Sequence, residues 1–193
     1  MTLAPKFLPG AGPFSTRVAL FLVLLAAHLF SCESAAQNSR EYQLKAVLLF
    51  RLTQFVEWPT NRFASPETPI TIGILGRDPF GDSLRIAIRG ETARNRSIEL
   101  RQLRHVEEAK SCHILFISDS EGRRVREITT ALAGHAVLTV SDMENFVRAG
   151  GGMVRFYNEQ NRVNLRINNE TAKAAGLVLD SRLLRMAQIV DDR

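Results

Sequence analysis

Three aspartates stand where an α/β protein keeps its chemistry. Asp78, Asp119 and Asp142 each follow a short apolar run, and the carboxyl ends of parallel strands are where such folds gather metal ligands or acid–base groups. Each also stands at the start of a predicted helix, where a carboxylate caps free N–H groups and meets the helix dipole. Capping accounts for all three, so no metal or catalytic cluster is expected. His105, His113 and His135 show no metal-ligand spacing, and there is no Gly-x-Ser-x-Gly elbow for a nucleophile. Gly150-Gly151-Gly152 is followed by a strand pattern and not by Lys-Ser/Thr and a helix, so a tight turn is expected there, not a phosphate cradle. Gly73, Gly76 and Gly81 do not match a dinucleotide fingerprint, and Pro79 is wrong for it. No catalytic residue, metal or cofactor is indicated, which favours binding over catalysis.

The residues suited to binding are few. Arg155, Arg162 and Arg166 fall on one face of a predicted hairpin. Guanidinium pairs well with carboxylate, so this face suits an acidic partner or an anionic ligand. Solvation beside Glu159 or Glu170 is the plainer reading of the same residues. Trp58, before Pro59, is either a core aromatic at a helix end or an exposed anchor for a partner. Cys112 precedes a core strand and is expected to be buried and inert, with His113 pointing to the opposite side.

The elements that would position these residues alternate in type. Ile114–Ile117 is an unbroken apolar run that ends in Ser-Asp, with Ser118 and Glu121 at the spacing of a capping box; Ala136–Val140 is a second copy that ends in Ser-Asp, and Ile70–Leu75 is a weaker one that leads to Asp78-Pro79. Runs without alternation read as strands covered on both faces, and strand followed by capped helix argues for an α/β domain with a parallel core. Before them, Tyr42, Leu44, Val47, Leu48, Leu49, Leu52, Phe55 and Val56 recur at helical spacing, predicting a largely buried helix over Glu41–Trp58. Ser97–Leu103 alternates and reads as a half-exposed strand near a sheet edge. Helices are expected up to Ile88, from about Ser120 to Leu132, briefly before Gly150, from Asn168 through Ala175, and over Ser181–Ile189. Met153–Tyr157 and Arg162–Ile167 alternate around a short polar turn, an antiparallel hairpin.

The 193-residue chain opens with Lys6, Arg17 and an uncharged run from Val18 to Phe30, then Ser34-Ala35-Ala36. That pattern reads as a signal peptide over residues 1–36, cleaved before Gln37; a lipoprotein reading at Cys32 is weakened by Phe30. Its loss would remove Lys6, Arg17 and Glu33 from 25 basic and 20 acidic residues, leaving 23 and 19, a net +4. These charges are interspersed, so no nucleic-acid role is expected, and no second apolar stretch reaches spanning length. Cys112 would then be the lone cysteine, with no intramolecular disulfide.

Seven stretches in register carry a wider likeness. They are Glu41-Tyr42-Gln43-Leu44-Lys45-Ala46, Phe55-Val56-Glu57-Trp58-Pro59, Cys112–Ser118, Leu138-Thr139-Val140-Ser141-Asp142, Gly151-Gly152-Met153-Val154, Ile167-Asn168 and Ser181-Arg182-Leu183-Leu184. From about Glu41 to Val190 the chain resembles the YfiR family. The resemblance implies a Rossmann-like three-layer α/β sandwich, largely parallel with a C-terminal antiparallel hairpin. It also implies a periplasmic repressor that binds the periplasmic domain of a membrane-bound diguanylate cyclase, lowering cyclic-di-GMP and biofilm formation, and that forms homodimers. The best-known members carry paired cysteines that bear on redox sensing. This chain keeps only Cys112, so such a switch is not expected here. A periplasmic receptor for a small anionic solute, without a cyclase partner, is the alternative. Neither reading is enzymatic.

Overall fold

A computed structural model describes residues 37–160 and 162–190. The expected leader, with its Val18–Phe30 run, Cys32 and the Ser34–Ala36 site, lies outside the described residues. In chain order the elements are α1 (37–55), β1 (Val56–Glu57), β2 (Ile70–Leu75), α2 (Asp82–Ile88), β3 (Thr92–Ala93), β4 (Arg96–Leu103), α3 (Val106–Ala109), β5 (Ile114–Ile117), α4 (Val125–Ala131), β6 (Leu138–Ser141), β7 (Val154–Glu159), β8 (Arg162–Ile167), α5 (Asn169–Ala174), β9 (Val178–Leu179), α6 (Ser181–Met186) and β10 (Gln188–Ile189).

Eight strands form one sheet in the order β10-β8-β7-β6-β5-β2-β4-β3. β4, β2, β5, β6 and β7 run parallel, while β7 and β8 make the expected antiparallel hairpin. The apolar runs explain the centre: every residue of β2, β5 and β6 is buried. Alternate residues serve opposite faces. Ile70, Ile72, Ile74, Ile114, Phe116, Leu138 and Val140 pack with Leu49 and Leu52 of α1 on one face. Leu103, Cys112, Leu115, Ile117, Ile128, Phe146 and Val147 fill the other. The result is a three-layer sandwich in which each fully buried Ile, Leu or Phe contributes roughly 2 kcal/mol. Gly73 is needed mid-strand, because a Cβ there would lie 2.8 Å from both Cys112 Sγ and Leu103 Cδ1.

Several sequence expectations need correction. The first helix stops at residue 55, because Val56–Glu57 instead pairs antiparallel with Val178–Leu179. Its apolar face is also rotated: Leu44 and Val47 are 53% and 45% exposed, whereas Lys45 is only 4% exposed. Asp78 does not cap α2. Its Oδ1 accepts the Phe80 N–H at 2.7 Å, and α2 begins at Asp82 after Gly81. Ser118 makes no side-chain cap; the Glu121 N–H bonds its carbonyl at 2.9 Å, and a 3-10 turn over Asp119–Arg124 precedes α4. No helix joins β6 to β7. Residues 144–150 form turns around buried Phe146, closed by Gly150 N–H to Asn145 O at 2.9 Å and Gly152 N–H to Phe146 O at 2.8 Å. The final helix ends at Met186, because Gln188–Ile189 leaves it to pair with Arg166–Ile167.

Candidate functional site

The strand order reverses between β2 and β5, since β4 lies on one side of β2 and β5 on the other. In doubly wound sheets the crevice outside the carboxyl ends of such a pair receives the ligand. Here groups of the chain itself bond one another across the strand ends. The Arg77 N–H donates to Ser120 Oγ at 2.9 Å, and Gln102 Nε2 donates to the carbonyls of Ile74 and Gly76 at 3.2 and 2.7 Å. Gly76 sits at φ +88°, and a Cβ there would collide with Ser120 Oγ. Above this seam Phe80 stands edge-on to Phe116 at 4.7 Å and to Tyr42 at 5.7 Å.

The N-terminal helix is held there by charge. The Tyr42 hydroxyl donates to Asp142 Oδ2 at 2.8 Å, and Lys45 Nζ lies 2.6 Å from both Asp142 Oδ2 and Glu41 Oε1. Lys45 also sits 4.4 Å from the centre of the Tyr42 ring. Burial, and then the hydrogen bond to Asp142, push the Tyr42 hydroxyl well above its ordinary pKa, so it stays a donor. Thus Asp142 tethers α1 to the end of β6, while Asp78 is spent on a turn and Asp119 is exposed. Among the described residues no three His, Cys, Asp or Glu side chains could hold a metal. Sequence reasoning missed Tyr42 and Lys45. The available signal was a lysine inside the stripe Tyr42-x-x-Lys45-x-x-x-Leu49 of a helix otherwise apolar on that side.

Trp58 lies in the core at 8% exposure, and its Nε1 donates to the His113 carbonyl at 3.1 Å. Its edge borders a groove of about 540 Å³ shared with Phe63, Arg94 and Arg96. Both arginines are committed. Arg96 Nη1 donates to the carbonyls of Ser65, Pro66 and Thr68 at 2.7–2.9 Å, and Arg94 pairs with Glu57 at 3.2 Å. His113 stacks on Phe63 at 4.6 Å, and its Nδ1 accepts the Thr71 N–H at 3.0 Å. Burial and the neighbouring Arg62 push the His113 pKa down to about 4, so the ring is neutral near pH 7.

Cys112 faces the other side of the sheet, as alternation predicts, and is fully buried. Desolvation raises its thiol pKa to about 11. A buried thiol reacts poorly because the thiolate is the nucleophile. Native protein at pH 8 should therefore resist iodoacetamide and label at once in urea. Cys112→Ala should cost about 1 kcal/mol, as a small buried truncation does. Rapid native labelling would show the strand end to be open.

The hairpin places its arginines as the period of two requires. Arg155 faces Arg166 across β7 and β8, and Arg162 faces Glu159. Arg162 is exposed, while Arg155, Tyr157 and Arg166 are half-buried. Arg155 and Arg166 lie 5.7 and 4.9 Å from the Tyr157 ring centre, and Arg166 Nε donates to Gln188 Oε1 at 2.8 Å. The structure brings these two arginines together and leaves Trp58 apart from them.

Fold and site together define a Rossmann-like α/β sandwich whose N-terminal helix is tied by Tyr42 and Lys45 to Asp142 at the end of β6. The chain belongs to the YfiR/HmsC-like family, whose match covers residues 42–188. No curated protein matches the chain.

Proposed function

We propose that the chain is a periplasmic regulatory binding protein. It represses a membrane-bound diguanylate cyclase by binding that enzyme's periplasmic sensor domain, and so restrains cyclic-di-GMP signalling and biofilm formation. Family membership over residues 42–188 is the observation that carries this reading. The Tyr42–Asp142–Lys45 set supports it, because polar groups at this end of the sheet bond one another in place of a small ligand. Among the described residues no helix is long and apolar enough to cross a membrane, which suits a protein released after removal of residues 1–36. In this reading the released chain acts as a homodimer, and Arg155, Arg162 and Arg166 contribute to the contact.

Deletion of the gene should raise cyclic-di-GMP and surface attachment, and loss of the cognate membrane cyclase should cancel both effects. The purified chain should bind the cyclase's periplasmic domain, and the mature protein recovered from cells should begin at Gln37. Unchanged cyclic-di-GMP in the deletion strain, with no binding to that domain, would overturn the proposal. The second reading, a receptor for an anionic solute, is favoured by the same Arg155–Arg166 pair, which has no carboxylate partner among the described residues.

A further inference from the structure

We infer that Arg155 and Arg166, with Tyr157 beneath them, form an oxyanion site that takes a carboxylate or phosphate between the two guanidiniums. The site stands on a cross-strand row. Ser141 of β6, Arg155 of β7, Arg166 of β8 and Gln188 of β10 are neighbours in register across four strands. Ser141 is spent on β5, donating to the Ile117 carbonyl at 2.7 Å. Gln188 holds Arg166 by its Nε, which fixes the plane of that guanidinium and leaves its two terminal nitrogens for a ligand. Tyr157, the next outward residue on β7, offers its ring to both cations.

This arrangement is unfavourable without an anion. Like charges directly opposed across a strand pair repel, and neither guanidinium forms an ion pair among the described residues. Arg155 Nε is buried without a hydrogen-bond partner. Burial, followed by the repulsion of Arg166, makes the Arg155 charge harder to hold than usual. Glu144 and Asp142 offset part of this from a distance, but Asp142 already serves Lys45 and Tyr42. Arg162 lies outside the site, because it faces Glu159 at the turn end of the hairpin. An oxyanion would satisfy both cations at once in the geometry that guanidinium recognises best.

The ligand oxyanion has two possible sources, an acidic side chain of the proposed partner or a free solute. The inference names the chemistry of that contact, and it is tested with small probes so that it stands or falls apart from the cyclase. Melting of the full mature chain would be followed with phosphate, succinate and a hexaglutamate peptide, each against chloride at equal ionic strength. Wild type should show a saturable rise in melting temperature. Arg155→Gln should weaken the response at least about tenfold, the loss of one charge-assisted contact. Arg104→Gln, an exposed control, should leave it unchanged.

Arg166→Glu separates this role from a structural one. It replaces repulsion by attraction across the strands, so the variant should melt at or above wild type and lose the response. Protection by succinate or phosphate assigns the site to a free solute. Protection by hexaglutamate alone assigns it to a protein side chain. No saturable protection by any probe, or a full response in Arg166→Glu, would overturn the site. Retained protection with no cyclase binding would instead reject the repressor reading and leave the site standing.

Discussion

Lys45→Ala should lower the free energy of unfolding by about 3 kcal/mol, the lower end of the cost of leaving buried charge unpaired. The lysine is 4% exposed and is the cation shared by Glu41 and Asp142, each 2.6 Å away. Removing it strands two carboxylates where water can only partly replace it, since Asp142 is 12% exposed. The hydrophobic loss is secondary, because an alanine could still cover some of the same surface. Tyr42→Phe removes one hydrogen bond to a charged acceptor and should cost about 2 kcal/mol. Replacing the whole set, with Lys45→Met, Asp142→Asn and Glu41→Gln together, should recover most of the loss, because the desolvation of the charges goes with them. Urea unfolding decides this. A Lys45→Ala variant within about 0.5 kcal/mol of wild type would assign the tether to the solvated surface.

The second large effect is an acid instability centred on His113. Its folded pKa of about 4 lies below the ordinary 6.5, so between those values the unfolded chain binds more protons than the folded one. Stability therefore rises with pH, is complete above about 6.5, and is lost as pH falls towards 4. The full difference amounts to about 3 kcal/mol, and about 2 kcal/mol of it falls between pH 7 and pH 4.5. The structural cause is concrete. Protonation would convert Nδ1 into a donor aimed at the Thr71 N–H, beside the Arg62 charge, in a site only 3% exposed. His113→Gln lacks the titration and should lose about 2 kcal/mol less than wild type over that range. Parallel pH slopes for the two proteins would place the acid sensitivity elsewhere, among carboxylates they share.

The contrast between strands and helices explains what could be read from the residues alone. Ile70–Leu75 and Ile114–Ile117 are strands with the bounds their apolar runs suggested, because burial on both faces leaves a signal that needs no knowledge of neighbours. The hairpin was equally legible, since a period of two assigns each residue a side. Helix starts were less so, because Ser and Asp have other uses for their oxygens. Ser141 gives its hydroxyl to the Ile117 carbonyl, and Asp142 takes Lys45 and Tyr42 in place of a helix end. The turns after β6 carry Phe146 and Val147 into the core and are closed by the Gly150 and Gly152 N–H groups on the Asn145 and Phe146 carbonyls. At the site, the arginine face followed from local pattern. The Lys45–Asp142 tether did not, because its partners lie 97 residues apart in sequence.

That separation has a consequence for assembly. A chain made from its N-terminus first completes α1 early, yet the hydrogen bond from Tyr42 to Asp142 spans 100 residues and cannot close until β6 is in place. Closing so long a loop is slow and comes late in folding. Through that interval Leu49 and Leu52, which end in the core, have only the strands made before β6 to cover them, and Val56 waits longer still for Leu179. The helix is thus made first and secured late, and the interval before β6 arrives is one in which the chain needs protection from its neighbours.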